Sequence, residues 1–523
     1  MSSLCHPSDS LLAPAPWRQG IDRPEKLGRL TAFVVIWCGF LFFYGLTAGQ
    51  LYRTENLRAI IAENMLRSGD WIVPRLYGEP LFTKPPGMYV AIVLCSLPFG
   101  RVTEFSARLP SALAATVTAF IFYRMFRRYA GARGGLIAAG LLPMSLIYLD
   151  KTTAAEIDML LVTFVVGAVY CFLRLLEEKE GLSGTVAPSP PPGQRGRGEG
   201  AWEFGWWLGV ELCLAGGVLT KWTAPAFFYG MAVPLLWWRG RLRLLWSRQH
   251  LLAAGLGASL CLAWIAAAVI MSGWDQFYTT ILREAFPRLL PFYDRQYHQH
   301  HSYWVEVLRH PIWVLGTALP CSILALWSLR RGFYRLWDER GRLLLAALHC
   351  WAWPNLVFWT LISDHKPRHS FPLVPGVAGL AALVVLSWCT GRLPLPWPRI
   401  APRKAICAAL ASWLAIKVLY VEIIMPGRTA QAQPRGKGHM LASLVPDGRV
   451  LYVFRLKDEG IMFYFGGTVV RLPSLLDLPS STEPMYCILD AYEWHELRHR
   501  RLAEVIQHLE DEQGQPIVLI RVH

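Results

Sequence analysis

Charge is scarce in this chain. Only 17 % of its 523 residues are Asp, Glu, Lys or Arg, against 54 % hydrophobic residues and 23 Trp. That balance excludes a single soluble core. Cysteine is sparse outside the apolar runs, and Cys487 is the sole cysteine beyond residue 425. No disulfide can therefore form within the tail, and redox chemistry gets no support. An internal repeat of solenoid period is also lacking. The first apolar run, 31–50, starts too late and runs too long for an ordinary cleaved leader, and Arg18, Arg23, Lys26 and Arg29 precede it.

Long apolar stretches are what the chain has in quantity. Runs at 31–50, 105–123, 134–149, 158–175, 204–220, 223–238, 250–273, 311–329, 341–362, 369–389 and 405–425 each approach the roughly 20 residues a helix needs to cross hydrocarbon. The connections 124–133, 239–248, 330–342 and 391–404 are rich in Arg, so they are expected in the cytoplasm together with the tail 1–30. The stretch Gly87–Phe99 is short for a crossing and is expected along the outer interface. The expected fold is thus a polytopic α-helical membrane protein of about eleven full transmembrane helices, with interfacial helices in the first outer loop. The net charge of +15 sits next to the bilayer surface and gives no reason to invoke nucleic acid.

The membrane domain should occupy 31–425, with a first outer loop at 51–104, a cytoplasmic linker at 177–203 and a further outer loop at 274–310. The linker is dense in Pro, Gly, Ser and charge without apolar period. Beyond it all, 426–523 reads as a small extracytoplasmic α/β domain. Its strands are expected at 450–456, 467–472, 485–492 and 516–522, with helical stretches near 457–465 and 492–510.

With this topology the notable charges collect outside. Thr54 can cap a helix whose apolar positions Leu57, Ile60, Ile61 and Met65 follow helical spacing, with Gly69 as its stop. Such a helix should lie flat on the membrane. Glu55 and Arg58 share a face, either as a surface ion pair or as site residues. Lys84 precedes two prolines that stiffen its backbone, which suits an ammonium held against an anion, although snorkelling to the interface is the plainer reading. Glu156 and Asp158 open a span: Asp158 can cap that helix, or both can face a cavity. Lys221 lies in the tight turn between two spans and is an anchor or a ligand. The outer loop 274–310 carries Arg283, Arg288, Arg295 and the histidines His298, His300 and His301, a weak zinc signal. The turn at 363–369 crowds His365, Lys366, Arg368 and His369 around Asp364, and with Lys84 it reads as an anion clamp.

The segments ENMLRSGDWIVPRLYGEPLFTKPPGMYV, EFSARLPSALAA, EIDMLL and LTKW resemble polyprenyl-phosphate-sugar glycosyltransferases of the GT-C class. The likeness is to the lipid A aminoarabinose transferases and the protein O-mannosyltransferase group, strong over 50–225 and loose beyond. It implies transfer of a sugar from a polyprenyl phosphate carrier to a lipid or protein acceptor on the outer face of the cell membrane. It also implies an acid at Glu55, a phosphate-contacting lysine at Lys84 and a second acid at Asp158. Where the group often has paired acids at the start of the loop, this chain has Thr54 before Glu55.

Such chemistry needs a carboxylate for the incoming nucleophile and cations for the departing phosphate. Glu55 is expected as base or acceptor-orienting acid, Asp158 as its helper, and Lys84, Lys366 and Arg368 as the clamp, with Arg58, Glu156 and Lys221 beside them. No cofactor is required by the sequence, and a divalent metal stays open. Two other readings are a polyprenyl-lipid or sugar transporter and a catalytically inactive sugar- or lipid-binding membrane protein. A transporter would place ionisable groups near the midplane and show paired, interrupted helices.

Overall fold

The computed structural model describes residues 24–182, 195–279, 303–362, 366–393, 402–456, 458–479, 483–497 and 503–522. Among the described residues, seven helices are long and apolar enough to cross a membrane: Glu25–Phe43, Glu104–Leu141, Ile157–Lys179, Arg248–Ser272, Glu339–Leu361, Pro367–Cys389 and Lys404–Gly427. The protein is a multi-pass membrane protein. The shorter apolar helices Gly87–Phe99 and Ala224–Trp238 accompany them.

In chain order the first elements are α1 (Pro24–Phe43), α2 (Thr54–Ser68), the two-residue strands β1 (Arg75–Leu76) and β2 (Glu79–Pro80), α3 (Gly87–Ser96), α4 (Glu104–Leu141), α5 (Leu146–Lys151) and α6 (Ile157–Lys179). They are followed by α7 (Arg195–Val218), α8 (Ala224–Trp238) and α9 (Arg248–Ser272). The bundle closes around Val374–Cys389, whose residues are apolar on every side and buried over nearly their whole length, as expected of a helix in the middle of a bundle. Gly379 lets that helix approach closely: a Cβ there would lie 2.6 Å from Leu348 and 3.0 Å from Phe126. Small residues at helix contacts serve packing in this way where lipid supplies no hydrophobic drive.

Several boundaries differ from those expected. The stretch 124–133 is not a loop: α4 continues through it, and the break comes at Gly131, with φ 75° and ψ 174°. A glycine reaches that backbone geometry at no Cβ cost, so the polypeptide changes direction without leaving helix for long. The run 311–329 is divided between helices Tyr303–Thr317, Cys321–Leu326 and the 3₁₀ turn Trp327–Leu329. The helix α2 does not lie free on a lipid surface. It shares an apolar cluster with α3 on one side and with Leu441, Ile461, Phe465 and Leu519 of the C-terminal region on the other. Its start is Arg53 at φ 51° without a side-chain cap, so Thr54 does not cap it, while Gly69 at φ 73° does end it.

The C-terminal region builds a five-stranded sheet from β3 (Leu451–Val453), β4 (Val469–Arg471), β5 (Met485–Asp490), β6 (Ala503–Glu510) and β7 (Pro516–Val522), in the order β4-β3-β5-β7-β6. The strand β3 runs parallel to β4 and β5, and β7 runs antiparallel to β5 and β6. The helix expected over 492–510 is therefore corrected. A short helix Ala491–Leu497 is followed by an edge strand, which hairpins into β7. The hairpin is set by Asp511, whose Oδ1 accepts from the backbone of Gln513 and Gln515, and by Gly514 at φ 80°. Turn chemistry of this kind overrides an ambiguous apolar spacing.

This unit docks on the 51–104 segment. The Tyr464 hydroxyl accepts from the Leu51 amide at 3.0 Å and donates to Glu104 at 3.0 Å, and Arg435 also pairs with Glu104. The Arg471 amide donates to the Tyr77 carbonyl at 3.0 Å, while its guanidinium stacks 4.8 Å from the Tyr77 ring.

Candidate active site

The start of α2 and the start of α6 meet in a buried network of charge. Glu55 is not paired with Arg58. Its Oε1 accepts from the Arg108 side chain at 3.0 Å and from the Ala155 amide at 2.8 Å, and its Oε2 accepts from Arg108 at 3.2 Å and from the Tyr52 amide at 2.9 Å. Arg108, 1 % exposed, spends its remaining donors on the carbonyls of Leu46, Ala48 and Gln50. The pair thus ties the exit from α1, the start of α2, and the turn before α6 to one point.

Arg58 instead pairs with Glu156 at 3.1 Å and donates to the carbonyls of Thr54 and Ala155. The Thr54 hydroxyl donates to Glu156 at 2.7 Å. The acid that the sequence lacks beside Glu55 is supplied from another element. Ser111 on α4 fixes the same turn by donating to the Ala154 carbonyl at 2.6 Å.

Asp158 occupies the first turn of α6 but does not cap it; the residue preceding the helix is Glu156, which makes no side-chain cap bond. The Asp158 Oδ1 accepts from Lys221 Nζ at 2.8 Å, and both side chains are buried. Lys151 and His369 lie near enough to act on Asp158 electrostatically. Lys151 is itself paired with Asp150 at 3.0 Å. Burial alone would push the Asp150 carboxyl up, yet Lys151, Arg428 and the Tyr420 hydroxyl hold it below the usual carboxylate range.

The lysine-bearing loop is locked to the Lys221 turn. The Gly87 amide donates to the Leu219 carbonyl at 2.8 Å, and a Cβ at Gly87 would stand 2.7 Å from that oxygen. Lys84 is half-buried and donates to the Thr83 carbonyl at 3.0 Å. The third cationic piece is the 3₁₀ turn Pro367–Leu373. His310, fully buried, bonds Thr360 at 2.9 Å and Ser370 at 3.3 Å, and Trp351 donates to the Pro372 carbonyl, so the turn is pinned from two helices. Lys366 is exposed there and Arg368 half-buried.

Of the residues singled out from sequence, Glu55, Arg58, Glu156, Asp158 and Lys221 fall in one connected cluster. Lys84 is joined to it through the Gly87 contact, and the 366–369 turn through His369. Asp364 and His365, the three arginines at 283, 288 and 295, and the histidines at 298, 300 and 301 lie outside the described residues. Among the described residues no group of three or more His, Cys, Asp or Glu is placed to hold a metal ion. Arg108, Asp150, Lys151 and Arg428 were not anticipated. Arg108 had a visible signal: an arginine inside an apolar run is costly unless a partner waits for it.

The family model described as dolichyl-phosphate-mannose-protein mannosyltransferase matches residues 83–187, which include Lys84, Arg108, Lys151, Glu156 and Asp158. Undecaprenyl phosphate-α-4-amino-4-deoxy-L-arabinose arabinosyl transferase 1 of Pseudomonas fluorescens is 24 % identical over 381 residues, 72 % of this chain and 60 % of its own length. The crystal structure of ArnT from Cupriavidus metallidurans bound to undecaprenyl phosphate matches with a TM-score of 0.68 at 16 % identity, covering 95 % of this chain and 98 % of that one. The chain has the ArnT fold. The apo structure of the same ArnT matches with a TM-score of 0.63 over the same shares. This bears out the resemblance to GT-C aminoarabinose transferases read from the motifs. The chain spans about 60 % of the length of the curated arabinosyl transferase, whereas it covers nearly all of the ArnT of known structure.

Proposed function

We propose that this protein is a membrane glycosyltransferase that moves a sugar from an undecaprenyl-type polyprenyl phosphate to a lipid or protein acceptor on the outer face of the cytoplasmic membrane. The observation that carries the reading is the Asp158–Lys221 pair beside the Glu55–Arg108 and Arg58–Glu156 pairs, set in the ArnT fold with Lys84 and the 366–369 turn around them. In this topology the chain makes about eleven crossings, with 1–30 in the cytoplasm and 426–523 outside. The domain limits are 31–425 for the catalytic unit, and the cytoplasmic linker expected at 177–203 is narrower, since α6 runs to Lys179 and α7 begins at Arg195.

The hydrogen bonding favours a division of labour among the carboxylates. Glu55 has both oxygens filled by Arg108 and backbone amides, which suits a positioning residue. Asp158 uses one oxygen on Lys221, which leaves the other for the acceptor. In the reaction the acceptor oxygen attacks the anomeric carbon, and Asp158 orients it and takes its proton where it carries one. The bond from that carbon to the phosphate oxygen breaks, and the electron pair stays on the leaving polyprenyl phosphate. Lys84, Lys366 and Arg368 stabilise the charge that develops there. Direct displacement inverts the anomeric centre.

The decisive experiment is release of free polyprenyl phosphate from a labelled polyprenyl-phosphate sugar, with purified protein and membrane acceptors. Release with transfer of label is the expected result. Absence of release with every donor sugar tried, from protein that still binds polyprenyl phosphate, would leave a binding protein rather than an enzyme.

A further inference from the structure

At the end of the bundle farthest from the Asp158 cluster, charge is left unbalanced. Asp158 opens α6 and Glu177 lies near its finish, so the two mark opposite ends. Glu177, wholly buried, gathers Arg128, Arg174 and Arg340. Glu180 takes Arg239 at 3.5 Å and Arg241 at 4.0 Å, and Glu339 takes Arg342 at 2.7 Å. Glu178 is on Arg174 and Glu203 on Lys179, while Asp338 accepts from the Gly341 amide. Arg243, Arg248, Arg331 and Arg335 stay exposed, and among the described residues none of them has an ion-pair partner.

These arginines stand on or beside two short turns that also present apolar side chains outward. The 3₁₀ turn Leu242–Trp246 joins α8 to α9, and the 3₁₀ turn Phe333–Leu336 precedes the helix Glu339–Leu361. The Trp238 ring stacks on Tyr334 at 6.3 Å, so the two turns border one patch. Trp237 is 73 % and Trp246 79 % exposed, and Leu242 is exposed beside them. The length of α8 places this patch in depth. It starts three residues after Lys221 and runs for 15 residues, about 22 Å at the helical rise, which is less than the roughly 30 Å of hydrocarbon in a bilayer. The turn that follows is therefore drawn into the headgroup layer rather than held out in water.

We infer that this patch holds an anionic phospholipid of the leaflet opposite the candidate active site. The exposed guanidinia of Arg243, Arg248 and Arg335 meet its phosphate, which suits their planar forks of donors. Trp237, Trp246 and Leu242 lie along its glycerol and upper acyl chains, at the depth that indoles favour. A phospholipid brings both chemistries in one molecule and is already at that depth, whereas an acidic protein segment matches the charge alone. The cations proposed to clamp the sugar donor lie at the other end of the bundle, so this binding is independent of the transfer reaction.

The test titrates the full-length protein in detergent with phosphatidylglycerol or phosphatidylcholine and reads apparent dissociation constants by native mass spectrometry. Wild type should prefer phosphatidylglycerol. The triple variant Arg243→Gln, Arg248→Gln, Arg335→Gln should bind it about 100-fold more weakly, from roughly fivefold per arginine beside anionic lipid, with phosphatidylcholine binding unchanged. All three positions are exposed, so the variant should melt like wild type in the absence of added lipid. Trp246→Ser should weaken both lipids alike. Equal affinity of the wild type for the two lipids, or a preference that survives in the triple variant, overturns the inference. Poly-glutamate binding more tightly than phosphatidylglycerol and displacing it would assign the patch to an acidic protein segment and overturns the inference as well.

Discussion

The first turns of α2 and α6 each present a buried carboxylate to the same cluster, and the two are used in opposite ways. Glu55 is surrounded: an arginine and two backbone amides fill both of its oxygens. Asp158 is engaged by a lysine through one oxygen. Saturated groups hold a structure together, while groups with spare capacity meet substrate. The contrast teaches that acid content along a loop is a poor guide to which acid does chemistry. The partners that decide it come from α4 and from the turn at 219–221, far away in sequence.

The sharpest way to break this contrast is to remove each charge in turn. Asp158→Asn should lower turnover about 10²- to 10⁴-fold, the contribution of a positioned acid or base, and because it leaves the buried Lys221 ammonium unpaired the melting midpoint falls as well. A variant that keeps near wild-type turnover would end the role given to Asp158. Glu55→Gln should differ from it in turnover rather than in stability. Stranding the Arg108 charge in a buried site costs about 3–5 kcal/mol, so the midpoint falls, and turnover per folded molecule is better preserved than in Asp158→Asn. If Glu55→Gln melts like wild type but is inactive, Glu55 is itself in contact with substrate.

A smaller effect is expected at the cationic rim. Arg368→Ala removes a half-buried guanidinium and should raise the donor KM about 10-fold, in keeping with about 1.5–3 kcal/mol for a charged hydrogen bond. A fall in kcat alone, with KM unchanged, would instead place Arg368 on the charge that appears only in the transition state.

The smallest effect concerns the C-terminal unit, whose acids are held differently from those in the bundle. Burial, with the charges of Glu512 and Asp511 next, pushes the Asp458 carboxyl up to about 7. Glu459 faces it as well, and Lys437 and Arg471 face the same acidic group around Glu512 and Tyr77. Because the folded state then binds a proton that the unfolded chain, near about 3.9, has lost, the stabilising contribution is present at low pH. It is lost as pH rises through 7. Asp458→Asn should therefore melt higher than wild type at pH 8, by a margin that shrinks steadily as the pH falls through 7 towards about 4. A wild-type midpoint that does not fall between pH 6 and 8 relative to the variant would show that Asp458 is ionised throughout.

The cluster was partly legible in the sequence because Lys84, Glu156, Asp158 and Lys221 sit in short motifs that carry charge beside apolar runs, at 63–90, 156–161 and 219–222. Hydropathy located most helices for the same reason that it locates any span: the bilayer demands length and apolarity. Pairing was not legible. Glu55 and Arg58 are helical neighbours three residues apart, yet Arg108, 53 residues away, outcompetes the local partner once α4 packs beside α2. The edge strand Ala503–Glu510 was missed because Val505, Ile506 and Leu509 suit a helix as well as a strand, and the hairpin turn that decides the matter follows them. The break at Gly131 hides in a basic stretch that looked like a loop.

The contact of Gly87 with the Leu219 carbonyl sets a rule for anyone who recombines this protein with its relatives. The lysine-bearing loop and the turn that carries Lys221 fit each other without room for a methyl group, so they behave as one inheritable module. A chimera that imports 75–90 alone brings in a loop shaped for another turn, and the two lysines lose their common footing. Importing 216–222 with it keeps the seam intact, so the two segments are exchanged as a single cassette.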